Sequence, residues 1–166
     1  MKKMINFYLP TKIIFSKGAI NSLPGALRSE ESRVLLVTGR KSARNAQLSE
    51  QAIKILKGRD VVLFDKVFPE PDTEVIDEGI ALAKINKCDV VIGIGGGSVL
   101  DVSKAIAAML RENKFTGVAD YLEVDGTKTL EAPGVPFIAV PTTSGTGSEV
   151  TKNSVIINRK LKNKRS

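Results

Sequence analysis

The chain has 166 residues, 42% of them apolar and 26% charged, proportions that exclude a disordered segment and suit one domain with a core of its own. No apolar run approaches the roughly 20 residues that cross a bilayer, and Asn6, Pro10 and Lys12 interrupt the stretch behind Lys2 and Lys3, so neither a membrane span nor a secretory leader is expected. The net charge of +7 is mostly local: Arg159, Lys160, Lys162, Lys164 and Arg165 crowd the end as a solvated charged turn, and without them 20 cations face 18 acids, so no nucleic-acid partner is expected.

Taken in order, 6–9 and 12–16 predict a short hairpin-like pair turning at Pro10 and Thr11. Residues 33–38 form a continuous β-branched run ended by Gly39, as in a strand covered on both faces. A helix centred on 49–57 puts Leu48, Ala52 and Ile55 on one face, and Gly58 stops it. A strand over 61–64 leads into a proline-bounded loop at 68–71. Asp72 or Thr73 then caps a helix over 74–86 with Ile76, Ile80 and Ala83 as its apolar stripe.

The strand 88–94 runs straight into Gly95, Gly96 and Gly97. Ser98 opens the next helix, with Asp101 three residues on as in a capping box and Val102, Ile106 and Met109 facing the core. Residues 111–134 read as loop with a short helix, followed by strands over 135–140 and 155–157. Strands alternating with helices predict an α/β fold: a Rossmann-like, mostly parallel sheet with helices on both faces, in one domain over 1–166.

The chemistry concentrates in two loops. Gly93-Ile-Gly-Gly-Gly-Ser98 sits at a strand-to-helix junction, where missing Cβ atoms admit a ligand and helix N–H groups face an anion. It is not a Walker A loop, since Ser98-Val99 stands where Lys-Ser/Thr is needed. Nor is it the standard dinucleotide fingerprint, for lack of an acid after a following strand. Pro141-Thr-Thr-Ser-Gly-Thr-Gly-Ser-Glu149 lies at the carboxyl end of another strand, where open α/β sheets bind ligands. The sequence contains no histidine, and the single Cys88 reads as a packed residue, so no disulfide within the chain and a cytoplasmic setting are expected.

Together VTGRKSARN at 37–45, FPEPD at 68–72, GGGSVLDVSKAIA at 95–107, PTTSGTGSEVT at 141–151 and NKR at 163–165 resemble the iron-containing (group III) alcohol dehydrogenases. The resemblance implies a dehydroquinate synthase-like N-terminal domain binding NADP or NAD. It also implies a following helical domain, absent from this chain, whose Asp and three His hold a divalent metal, Fe or Zn. Carried over, Gly96, Gly97 and Ser98 bind pyrophosphate, and Asp101 orients that turn or approaches the nicotinamide side. Thr142, Thr143 and Thr146 follow adenine, ribose and phosphate, and Lys164 nears the nicotinamide ribose. Gly39, Arg40 and Lys41 meet the adenosine ribose, where a missing acid and two cations favour a 2′-phosphate. Glu70 departs from the Asn that many members carry.

On this basis the chain is expected to be a truncated nucleotide-binding half, with no catalytic or metal-binding residues and no activity alone. Its N-terminal strands, within 5–15, are expected to pair in a homodimer. Alternatives are a stand-alone, non-catalytic nucleotide-binding module or a glycerol dehydrogenase-like relative, the latter disfavoured by the GTGSE form of the loop.

Overall fold

In the computed structural model, residues 10–40, 43–124, 126–159 and 163–165 are described. The long apolar runs become the inner strands of a four-stranded parallel sheet ordered β2-β1-β3-β4. Strand β1 (Arg33–Gly39) buries residues 34–38 in succession, and β3 (Val90–Gly95) is buried throughout. Only a strand flanked by neighbours and covered on both faces requires such sequence. The edge strand β2 (Asp60–Val67) outruns its expected span, because an edge tolerates the exposed Asp65 and Lys66 before the buried Val67. On the other edge lies β4 (Phe137–Pro141).

Period-two alternation sorts the side chains into two cores. Leu35 and Val37 join Ile76, Ile80, Val102 and Ile106 of α3 (Thr73–Ile85) and α4 (Gly97–Met109). Val34 and Leu36 join Leu23, Ala52 and Leu56, which belong to α1 (Leu23–Ala26), α2 (Ala43–Ile55) and the turn after it. Helices therefore cover both faces, as expected.

Helix ends differ in how well local chemistry foretold them. Helix α2 starts six residues earlier than its expected centre and ends at Ile55, with Gly58 at φ 99° beyond it. Asp72 caps α3, its carboxylate accepting from the Val75 N–H at 3.0 Å. That helix closes with Cys88 N–H on the Ala83 carbonyl (2.9 Å) and Lys87 N–H on that of Lys84 (3.1 Å), with Lys87 left-handed at φ 53°. The capping box expected of Ser98 and Asp101 does not form. Gly96 is the N-cap of α4 with no side-chain cap bond, because the Asp101 carboxylate is turned to the Val155 N–H (3.1 Å).

Three further expectations are corrected or narrowed. Residues 12–15 carry no strand and have no ladder partner among the described residues, while their expected partner, 6–9, lies outside them. The basic end is not wholly a solvated turn: β6 (Asn163–Arg165) pairs antiparallel with β5 (Ile156–Asn158), since backbone pairing is open to charged residues on a two-stranded edge. Cys88 precedes its strand, and burial, with Asp89 adding to it, pushes its thiol up to about 11. Between α4 and β4 the chain is irregular apart from a 3-10 turn, Val118–Tyr121. It is pinned where the buried Glu112 carboxylate accepts from Glu131 N–H (3.1 Å) and Lys114 N–H (3.3 Å).

Candidate functional site

Strand order reverses between β1 and β3: the chain crosses from β1 to β2 on one side and returns to β3 on the other. Open parallel sheets leave a crevice at the carboxyl edge at this switch point. Register brings the strand ends level there, with Gly39 beside Val67, Thr38 beside Ile94 and Gly95 beside Pro141. The buried Thr38 hydroxyl donates to the Ile94 carbonyl at 3.1 Å, fastening β1 to β3 beneath the crevice.

The crevice holds roughly 600 Å³. Its floor is Gly39 and Arg40 after β1 and residues 96–99 at the start of α4; its wall is Val67, Phe68 and Pro69 after β2. A hollow of about 510 Å³ along Gln47, Glu50, Gln51 and Lys54 of α2 meets no strand end, and Glu50 sets a carboxylate beside its one lysine. In the crevice, by contrast, α4 presents its first N–H groups and the positive end of its dipole, with no acid in its first turn.

Gly95 is required for space, and Gly96 and Gly97 stand where a side chain would be tight. Gly96 has an ordinary φ of −79°. A Cβ on Gly95 would stand 2.6 Å from the Val99 Cβ; on Gly96, 3.1 Å from Thr143 Oγ1; on Gly97, 3.3 Å from Ser148 Oγ and Thr146 Cβ. The first contact is helix-to-strand packing. The other two show that the loop after β4 lies directly against the triglycine turn, so two motifs about 45 residues apart in sequence form one surface.

Of the other expected site residues, Thr142, Thr143, Thr146 and Ser98 border that surface. Thr142 is half-buried and its N–H donates to the Gly95 carbonyl at 2.9 Å. Thr143 and Thr146 are exposed; the Thr146 hydroxyl donates to Glu149 (3.3 Å) and accepts from the Ser148 N–H (3.4 Å). Ser98 is partly open at the helix start. Exposed Arg40 donates its backbone N–H to the Val67 carbonyl at 2.9 Å. Lys41 lies outside the described residues. Lys164 pairs with Ile157 in the β5–β6 ladder, and the Ile157 N–H donates to the Pro71 carbonyl at 2.8 Å, which docks that hairpin on the 68–72 loop.

Sequence reading passed over Phe68 and Pro69, whose signal was an apolar residue in a proline-rich turn at a strand end. It also passed over Arg159, which ion-pairs with the buried Asp72 and lies 5.9 Å from the Phe68 ring centre. As for a metal, the chain has no histidine, and no group of three His, Cys, Asp or Glu side chains converges among the described residues. The donor set here does not fit a catalytic metal centre.

Comparison with known proteins agrees with this fold. The description "Iron-containing alcohol dehydrogenase" matches residues 10–166. Long-chain-alcohol dehydrogenase 1 of Geobacillus thermodenitrificans is 42% identical over 142 residues, covering 84% of this chain and 35% of that protein. NAD-dependent methanol dehydrogenase of Bacillus methanolicus is 33% identical over 163 residues, covering 96% of this chain and 42% of that protein. Among solved structures, sulfoacetaldehyde reductase from Bifidobacterium kashiwanohense in complex with NAD+ superposes with a TM-score of 0.86 at 30% identity, over 99% of this chain and 43% of the other. The chain thus spans less than half the length of these relatives. By sequence and by fold, it belongs to the iron-containing alcohol dehydrogenase family.

Proposed function

We propose that this chain is the dinucleotide-binding domain of a metal-dependent alcohol dehydrogenase that transfers hydride between an alcohol or aldehyde and NAD(P). The observation that carries the reading is the glycine cradle. At Gly96 and Gly97 the α4 N-terminus and the 141–149 loop approach so closely that a Cβ would stand 3.1 Å from Thr143 or 3.3 Å from Thr146 and Ser148, so only glycine backbone borders a ligand there. Gly97, Ser98 and the neighbouring N–H groups then grip the pyrophosphate. Thr142, Thr143 and Thr146 run along the adenine, ribose and phosphate path, and Lys164 meets the nicotinamide ribose. When bound, the dinucleotide supplies the nicotinamide ring that takes or gives the hydride.

On this reading the ligands of the metal, iron or zinc, and most of the alcohol pocket lie outside these 166 residues. The chain alone then shows no alcohol-dependent cofactor reduction, and stoichiometric metal in it would overturn this. Residues 5–15 pair two copies. Residues 5–9 lie outside the described ones, while Ile13, Ile14 and Phe15 are exposed; a monomer in sedimentation would refute the pairing. With one buried thiol and no helix long and apolar enough to cross a membrane among the described residues, the reading places the protein in the cytoplasm.

The preferred cofactor is NADPH. Gly39 puts no carboxylate at the floor of the crevice, and Arg40, with Lys41 beside it in sequence, offers cationic donors to a 2′-phosphate. One exposed contact of this kind is worth on the order of tenfold in affinity. The rival is NADH, favoured by relatives such as NADH-dependent butanol dehydrogenase A of Clostridium acetobutylicum, 32% identical. Calorimetric titration of both cofactors decides between them. Wild type is expected to prefer NADPH about tenfold, Gly39→Asp to reverse the order, and Gly97→Val to abolish both. Equal affinities defeat the NADPH preference, and undiminished binding by Gly97→Val defeats the site.

A further inference from the structure

We infer that Lys104 is a positioning residue of the dinucleotide site, an ion-paired strut that holds the loop after β4 against the triglycine turn. The inference rests on the dinucleotide reading above but assigns a residue that reading does not use. Lys104 sits on α4, seven residues beyond Gly97, and its side chain is only 11% exposed. Its ammonium lies 3.1 Å from an Asp101 carboxylate oxygen and donates to the Thr151 carbonyl (3.2 Å), the Thr151 hydroxyl (3.2 Å) and the Asn153 carbonyl.

Asp101 completes the clamp, its other oxygen accepting from the Val155 N–H. A lysine has three N–H donors, and here they converge on one short segment, 151–153, from a helix fixed in the core. Charge-assisted bonds are roughly twice as strong as neutral ones, so this is the firmest attachment that segment makes among the described residues.

The segment is the immediate continuation of the 141–149 loop. Upstream of it, the Val150 and Thr151 N–H groups both bond the Gly147 carbonyl at 3.1 Å, and Ser148, 7% exposed, lies against the Gly97 backbone. Holding residue 151 therefore fixes where Thr146 and Ser148 stand relative to Gly97. It also gives Asp101 a task without contact to the dinucleotide: both its oxygens face inward to Lys104 and Val155, so it acts through the loop.

The test compares wild type with Lys104→Met, Lys104→Arg and Thr151→Ala by amide hydrogen exchange and by NADH and NADPH titration. Lys104→Met should accelerate exchange at Val150, Thr151 and Val155 at least about tenfold, leaving β1 and β3 amides unchanged, and should weaken both cofactors by roughly tenfold alike. Lys104→Arg should recover part of each effect. Thr151→Ala removes one acceptor, so it carries the same signature at about threefold even if Lys104→Met does not fold. Unchanged loop exchange in Lys104→Met, or in Thr151→Ala should the former not fold, overturns the strut whatever the chain binds. Absence of cofactor binding by wild type overturns the functional reading instead.

Discussion

The triglycine turn and the loop after β4 both depend on glycine, for opposite physical reasons. In the turn the surroundings, not the backbone angles, set the demand: a Cβ on Gly95 would lie 2.6 Å from Val99, and one on Gly96 or Gly97 would be tight against the loop. At Gly147 there is open space around the Cα, yet φ is +69°, which L side chains rarely adopt. The turn is intolerant because it is packed, and the loop because it is bent. Packing faults propagate into a core, whereas a conformational penalty stays local.

Substitution can break or sharpen this contrast. The largest effect belongs to Gly95→Ala, whose methyl collides with a buried branched side chain at the foot of α4. It is expected to destabilise by about 3 kcal/mol in urea unfolding, and Val99→Ala in the same chain should recover a good part. Additive losses in the double variant would mean that Val99 is not the obstacle.

A smaller loss is expected for Gly147→Ala, about 1 kcal/mol, with Gly147→Asn closer to wild type because Asn tolerates left-handed backbone. If Asn and Ala behaved alike, the cost would be steric after all. The smallest effect has the opposite sign. Lys87 occupies the left-handed position after α3 that glycine usually fills. Lys87→Gly should stabilise by roughly 0.5 kcal/mol, read as a rise in thermal midpoint. A fall would show that the lysine side chain contributes more than the backbone strain costs.

Much of the fold was legible because it rests on short-range signals. Continuous apolar runs located β1 and β3, and period-3.6 patterning located α3 and α4; Asp72 declared a helix start; Gly58 marked the end of α2. The two glycine-rich loops were recognisable for the same reason, since each abuts a strand end. Legibility failed wherever a group had a choice of partners. Asp101 has the spacing of a cap, but its carboxylate goes to Val155 and Lys104. The basic end contributes a strand because β5 happens to lie beside it. Residues 12–15 have strand-like composition and no strand to pair with among those described.

The sequence by itself therefore determined the elements and the chemistry carried at their ends: which runs are inner strands, which turns lack side chains, and that no histidine is available for a metal. Tertiary structure alone decided the order β2-β1-β3-β4, the reversal between β1 and β3 that opens the crevice, and the meeting of Gly97 with Thr146 and Ser148. The reason is one of range. Backbone sterics and side-chain periodicity act over a few residues and are written in local sequence. A partner some 50 residues away, as Thr151 is from Lys104, is chosen by the packing of the whole sheet.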